Sequence, residues 1–182
     1  MKALIVAPFV ALLVTGEALA AERRPQGSGV VVRGAAGLGV GRIDVAGENE
    51  KEPGFAGGAL FGVAGRRFEV DVELAFQPFK VDNPAGRESF RVLYVLPSVR
   101  FHGRHAYLRL GAGWARYSWS GPAAFVPSDT GPALSAAAGY EFASPRAIPV
   151  SIEAYIRAST SDFEFTSRLY GVQFVASWYQ RK

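Results

Sequence analysis

The sequence predicts an all-β chain: an eight-stranded antiparallel up-and-down transmembrane β-barrel after a cleaved signal peptide. Three observations predict it. Apolar and polar side chains alternate with period two from Val30 onward. That alternation falls into eight segments of about 10–13 residues, a length that crosses a bilayer when tilted. After the N-terminal stretch no run approaches about 18 consecutive apolar residues, so membrane residence must come from strands.

Composition narrows the class. With 182 residues the chain has room for one domain. Hydrophobic residues at 49% and charged residues at 20% argue against disorder. Twenty-one glycines with 13% aromatics favour turns and pleated strands over helices. The net charge of +4 is modest and no Lys/Arg run occurs, so no nucleic-acid partner is expected. Cysteine is absent, which excludes disulfides, thiol catalysis and Cys-ligated metals.

The first segment reads as an export signal over 1–20, leaving the barrel domain as 21–182. Lys2 is its positive end, Ala3 to Val14 its apolar core, and Ala18-Leu19-Ala20 its small-residue cleavage site.

The eight strands are expected at 29–42, 54–65, 67–79, 88–101, 105–118, 131–143, 148–160 and 167–179. The first carries Arg33, Gly37, Gly39 and Gly41 on one face. The third is the clearest: Phe68, Val70, Val72, Leu74 and Phe76 face one way, Glu69, Asp71, Glu73, Ala75 and Gln77 the other. The fifth sets Leu108, Leu110, Ala112 and Trp114 against Tyr107, Arg109, Gly111, Gly113 and Ala115. The seventh sets Val150, Ile152, Ala154, Ile156 and Ala158 against Ser151, Glu153, Tyr155, Arg157 and Ser159.

Tight turns are expected at 65–66, 102–104 and 144–147, and longer loops at 43–53, 80–87, 119–130 and 161–166. Transmembrane barrels alternate short periplasmic turns with longer outer loops, so both chain ends fall on the turn side. Hydrocarbon cannot satisfy backbone N–H and C=O groups, so the strands must close without an edge, apolar face outward. A charge at the midplane of that face would cost about 2–4 kcal/mol.

Aromatics gather near strand ends, as interfacial girdles do. Phe68, Phe101, Tyr107, Tyr140, Phe142, Trp178 and Tyr179 form the turn-side set. Phe55, Phe76, Phe79, Phe90, Trp114, Tyr117, Trp119 and Tyr170 form the loop-side set.

The Gly-rich strands Tyr107-Leu108-Arg109-Leu110-Gly111-Ala112-Gly113-Trp114 and Gly131 to Phe142, with the closing strand Tyr170 to Tyr179, resemble the OmpA/OmpX-like outer-membrane β-barrel superfamily. The resemblance covers nearly all of 21–182 as a pattern rather than a sharp motif. It implies a small closed barrel in the outer membrane, delivered by the outer-membrane assembly machinery, monomeric and surrounded by outer-membrane lipid. The last three residues, Gln180, Arg181 and Lys182, depart from the aromatic ending common in the family.

The candidate site is a lumen charge network of Arg33, Glu69, Asp71, Glu73, Arg91, Arg109, Glu141, Glu153 and Arg157. Acids and bases nearly balance, which reads as a salt-bridged plug, because unpaired interior charge is costly. Three carboxylates at spacing two could instead hold a divalent cation, and the plug is the stronger reading. No metal, cofactor or catalytic residue is expected. His102 and His105 flank a tight turn and read as solvated. A lipid A deacylase would need a His-x-Ser pair against lipid, which neither histidine supplies.

The expected role is structural, adhesive or surface-interacting, with an unknown surface partner and no enzyme activity. One alternative is a soluble periplasmic lipocalin-like barrel with reversed faces and an apolar ligand inside. Three lysines after residue 20 are thin cover for a solvated surface. The other is an outer-membrane enzyme acting on lipid A. Arginines in the turns, Arg66, Arg67, Arg104 and Arg146, read as ordinary solvated side chains.

Overall fold

Eight strands follow one another along the chain: β1 (Gly29–Val45), β2 (Glu48–Ala64), β3 (Phe68–Asn83), β4 (Gly86–His102), β5 (Ala106–Ser120), β6 (Asp129–Phe142), β7 (Val150–Thr160) and β8 (Thr166–Tyr179). This computed structural model describes residues 29–45, 48–65, 68–83, 86–103, 105–120, 128–142, 148–161 and 166–180. The expected signal segment, 1–20, lies outside the described residues.

Every strand pairs antiparallel with the next, and β1 closes on β8 from Val31↔Tyr179 to Asp44↔Thr166. Closure removes the free edge that an open sheet would present to a hydrocarbon solvent. The start of β1 and the end of β8 lie at one rim with the 65–67, 103–105 and 143–149 connections, called here the turn end. The opposite rim, with 46–47, 84–85, 121–128 and 161–165, is the loop end.

At the loop end the strands outrun the expected boundaries. Loops were expected at 43–53 and 80–87, but β1 and β2 are separated only by 46–47, and β3 and β4 only by 84–85. The ladder continues through Arg42↔Lys51 and Asp44↔Asn49. A polar run such as Glu48-Asn49-Glu50 forbids a strand in hydrocarbon, not one standing in water, where only main-chain pairing matters. The long-short alternation of connections is therefore not found.

Two breaks mark the sheet. β2 and β3 pair only from Gly57↔Phe76 to Ala64↔Glu69, and the β1–β2 and β3–β4 hairpins continue toward the loop end past that rung. The β4–β5 ladder is interrupted, without change of register, between Val95↔Trp114 and Ser98↔Gly111, where Pro97 lacks the N–H a ladder needs.

The pleat sorts side chains into two populations. Outward stand Leu38, Phe61, Val72, Leu110, Leu134, Ile156 and Phe174, all exposed. Inward stand arginines, carboxylates, serines and tyrosines, buried despite their polarity. This is the reverse of a soluble ligand-binding barrel, and the outward band suits only a hydrocarbon solvent. Glycines make room inside. A side chain at Gly139 would collide with the Tyr107 ring, and one at Gly41 with the Phe79 ring.

Candidate functional site

The lumen is filled in two layers. Nearer the loop end it holds Phe79, Phe90, Tyr94, Tyr117 and Leu169, all buried. Phe79 and Phe90 lie 6.3 Å apart, Phe90 and Tyr117 5.8 Å. Hydroxyls run beside them: Tyr94 Oη and Ser167 Oγ are 2.8 Å apart, and Tyr117 Oη donates to Ser159 Oγ at 2.6 Å. Phe79, Phe90 and Tyr117 were expected in the loop-side girdle, and Tyr107 and Tyr179 in the turn-side one. All five instead take the inward phase of their strands. Position along a strand sets the height of a side chain, while parity sets its face.

Nearer the turn end the lumen is ionic. Arg33 from β1 reaches Glu69 and, at 3.4 Å, Asp71, both on β3. Asp71 also accepts a hydrogen bond from Ser98 Oγ of β4. Arg109 of β5 bridges Glu73 of β3 and Glu153 of β7, with Nη2 2.7 Å from Glu153 Oε1. Arg157 of β7 holds the other oxygen of Glu73 at 2.5 Å. Gln173 Nε2 of β8 donates to Glu153 Oε1 at 2.6 Å. The Arg33, Arg109 and Arg157 contacts with carboxylates join strands that share no ladder, while Ser98–Asp71 and Gln173–Glu153 join neighbouring strands.

Of the predicted network members, Arg33, Glu69, Asp71, Glu73, Arg109, Glu153 and Arg157 are each buried in the lumen. Glu141 sits at the turn-end mouth, 3.3 Å from Arg100 Nη2. Arg91 does not belong. It is exposed on the outer face, in phase with Leu93 and Val95. The even residues of β4 face inward, so the guanidinium in the lumen is that of Arg100. Arg100 lies 3.7 Å from Glu69 Oε2 and stacks over Tyr107 at 3.4 Å from its ring centroid.

Three further members were missed. His102 is not a solvated turn histidine: its side chain is 1% exposed, with Nε2 2.8 Å from Glu69 Oε1. Tyr179 Oη donates to Glu69 at 3.3 Å. Gln173 supports Glu153 as described. Arg91 and Arg100 are nine residues apart, an odd spacing that puts them on opposite faces. That spacing is the signal that separates them.

The predicted interfacial aromatics Phe68, Phe76, Phe101, Trp114, Tyr140 and Trp178 are all exposed on the outer face. His105 stacks on Tyr140 at 5.6 Å, and Tyr140 meets Phe142 at 5.5 Å.

Chemically the lumen is neutralised rather than poised. Each network carboxylate already has an arginine partner, which leaves the Glu69-Asp71-Glu73 row without the vacant oxygens a cation would need. Among the described residues no group of three His, Asp or Glu side chains could hold a metal ion. Paired so, the buried charges cross-brace the wall and obstruct the lumen.

No protein-family model matches the chain, and no curated protein matches it. Solved structures do. Ail, the attachment invasion locus protein of Yersinia pestis, aligns at TM-score 0.59 and 17% identity, covering 84% of this chain and 99% of that one. Its complex with the heparin analogue sucrose octasulfate aligns at TM-score 0.55 and 17% identity, over 82% and 99%. Neisserial surface protein A aligns at TM-score 0.57 and 12% identity, over 83% and 99%. The chain therefore has the fold of the small eight-stranded outer-membrane barrels, the OmpA/OmpX-like type.

Proposed function

We propose that this chain is a monomeric outer-membrane barrel, freed of residues 1–20 on export and placed by the outer-membrane assembly machinery, with a surface-interaction role and no enzyme activity. The observation that carries the reading is the inverted sorting of side chains: ion pairs and hydroxyls inside, an unbroken aliphatic and aromatic band outside. A lumen braced by Arg109 between Glu73 and Glu153 serves as a rigid stake rather than a channel. What it presents is the loop end, where the β1–β2 and β3–β4 hairpins extend past the last β2–β3 rung. Ail, an attachment invasion locus protein crystallised with a heparin analogue, and Neisserial surface protein A share the fold, and a surface role on such a barrel accords with them.

The test is gel mobility of the refolded chain lacking residues 1–20, boiled against unboiled, with probing of the loop end by protease on intact cells. A heat-dependent shift with cleavage confined to the loop end is expected. No shift, with solubility in the absence of detergent, would overturn the membrane reading in favour of a soluble barrel.

A further inference from the structure

Two buried polar ends in the lumen have no hydrogen-bond partner among the described residues: Tyr155 Oη and both amide atoms of Gln77. Tyr155 is 4% exposed and Gln77 1%. Leaving a buried donor or acceptor unsatisfied costs more than a typical hydrogen bond contributes, so each end calls for a partner.

A row of glycines fixes where the two ends lie. Tyr155 of β7 is directly opposite Gly171 of β8, Gly171 is opposite Gly39 of β1, and Gly39 is opposite Gly54 of β2. All four take the inward phase of their strands. With no side chains in its way, Tyr155 reaches along this floor toward β2. Its Oη comes 2.8 Å from where a Cβ on Gly171 would stand and 2.5 Å from where one on Gly39 would stand. From the far side Gln77 of β3 reaches the same row, with Nε2 3.7 Å from the Cβ position of Gly54. Opposed Cβ positions on neighbouring strands are about 5 Å apart. The hydroxyl and the amide therefore end over adjacent glycines, close together yet not hydrogen-bonded to each other. Pro78 O borders the same spot, 3.2 Å from the Cβ position of Gly54. The β2–β3 ladder stops short of it, at Gly57↔Phe76.

The surroundings set the size and charge of what joins these groups. Toward the loop end the Phe79 ring covers Gly41, and toward the turn end Gln173 covers Gly37. A ligand between them is a few atoms at most. Over the Tyr155 ring stacks the Arg157 guanidinium, 4.1 Å from the ring centroid, with Glu73 as its carboxylate partner. A second cation beside that guanidinium would be repelled, and the carbonyl oxygens of Pro78 and Gln77 disfavour an anion. A hydroxyl, an amide and a carbonyl together suit a small neutral molecule that both donates and accepts. Water has that chemistry, and a buried water takes two to four such partners.

We infer that Tyr155 Oη, the Gln77 amide and Pro78 O hold one ordered water, which bridges β7 to β3 across the glycine row. Arg157 joins the same two strands through Glu73 by charge. The water joins them without charge. The site needs a closed barrel but no particular solvent outside it, so it goes beyond the membrane reading and does not depend on it.

The test uses the refolded barrel in micelles. Nuclear magnetic resonance is expected to show Overhauser cross-peaks between the Gln77 side-chain amide protons and water, of the sign given by a water that tumbles with the protein. In Tyr155→Phe, which removes one oxygen, those cross-peaks should be lost. Urea unfolding is the second readout. Tyr155→Phe and Gln77→Met should each lower the folded-to-unfolded ratio roughly tenfold, because each strands the remaining end. The double variant should lose less than the product of the two factors, since neither end is then left. The heat-dependent gel shift establishes that each variant folds, and the wild-type spectrum needs no variant. Gln77 amide protons without the cross-peaks, or cross-peaks equally strong in Tyr155→Phe, would overturn the site. So would a Tyr155→Phe barrel as stable as the wild type or more so, the outcome of removing a hydroxyl that no water serves.

Discussion

Arg109 on β5 and Glu153 on β7 meet across the lumen at 2.7 Å, skipping the strand between them. The guanidinium also holds Glu73 of β3, so one side chain ties three strands that share no ladder. Removing a partner from a buried pair strands the other charge. Arg109→Met should therefore cost about 3–5 kcal/mol, measured by urea unfolding in micelles. Glu153→Gln combined with it should cost less than the sum of the two changes. Additive losses would show that the pair is not coupled.

Arg91 and Arg100 make a controlled comparison, because they share a strand but not a face. Arg100→Gln leaves Glu69 and Glu141 short of a cation and should destabilise by about 1.5–3 kcal/mol. Arg91→Gln on the outer wall should change stability by less than about 0.5 kcal/mol in zwitterionic micelles. Equal losses would contradict the assigned phase of β4.

The outer band can be mapped with a single charge. Leu110→Arg places a guanidinium among exposed apolar side chains and should cost about 2–4 kcal/mol in a bilayer. Tyr170→Arg, beside Arg168 near the loop-end border, should cost about 0–1 kcal/mol. Reversible unfolding in short-chain lipid vesicles separates the two.

Gly139 faces the Tyr107 ring, whose hydroxyl lies 3.2 Å from Ser151 Oγ and whose face carries Arg100. Gly139→Val would displace that ring and disturb both contacts. A loss of about 1–3 kcal/mol is expected from overpacking, with a changed near-ultraviolet tyrosine signal. An unchanged signal would place Tyr107 elsewhere.

Legibility followed the cleanness of alternation. β3, β5 and β7 alternate so strictly that face and register of charge could be read residue by residue. β4 could not be phased. From Val92 to Leu96 it is apolar at every position, so neither parity looked polar and Arg91 was drawn inward by its charge alone. That inference holds within hydrocarbon and fails where the strand rises out of it. The same limit hid the loop-end extensions of β1 to β4, since a strand in water need not alternate. His102 was unreadable for another reason: its partner Glu69 is 33 residues distant and meets it only through the β3–β4 register.

The closing seam has a consequence for how the chain reaches this state. Arg33 is held by β3 on one side and by Ser177 and Tyr179 of β8 on the other, partners 144 and 146 residues away. An open sheet with β8 undocked would leave a dehydrated guanidinium half-served and an unzipped flank facing lipid. Both penalties vanish in the same step. Intermediates with seven strands in place are therefore poorly populated, and the barrel assembles and melts as one cooperative unit.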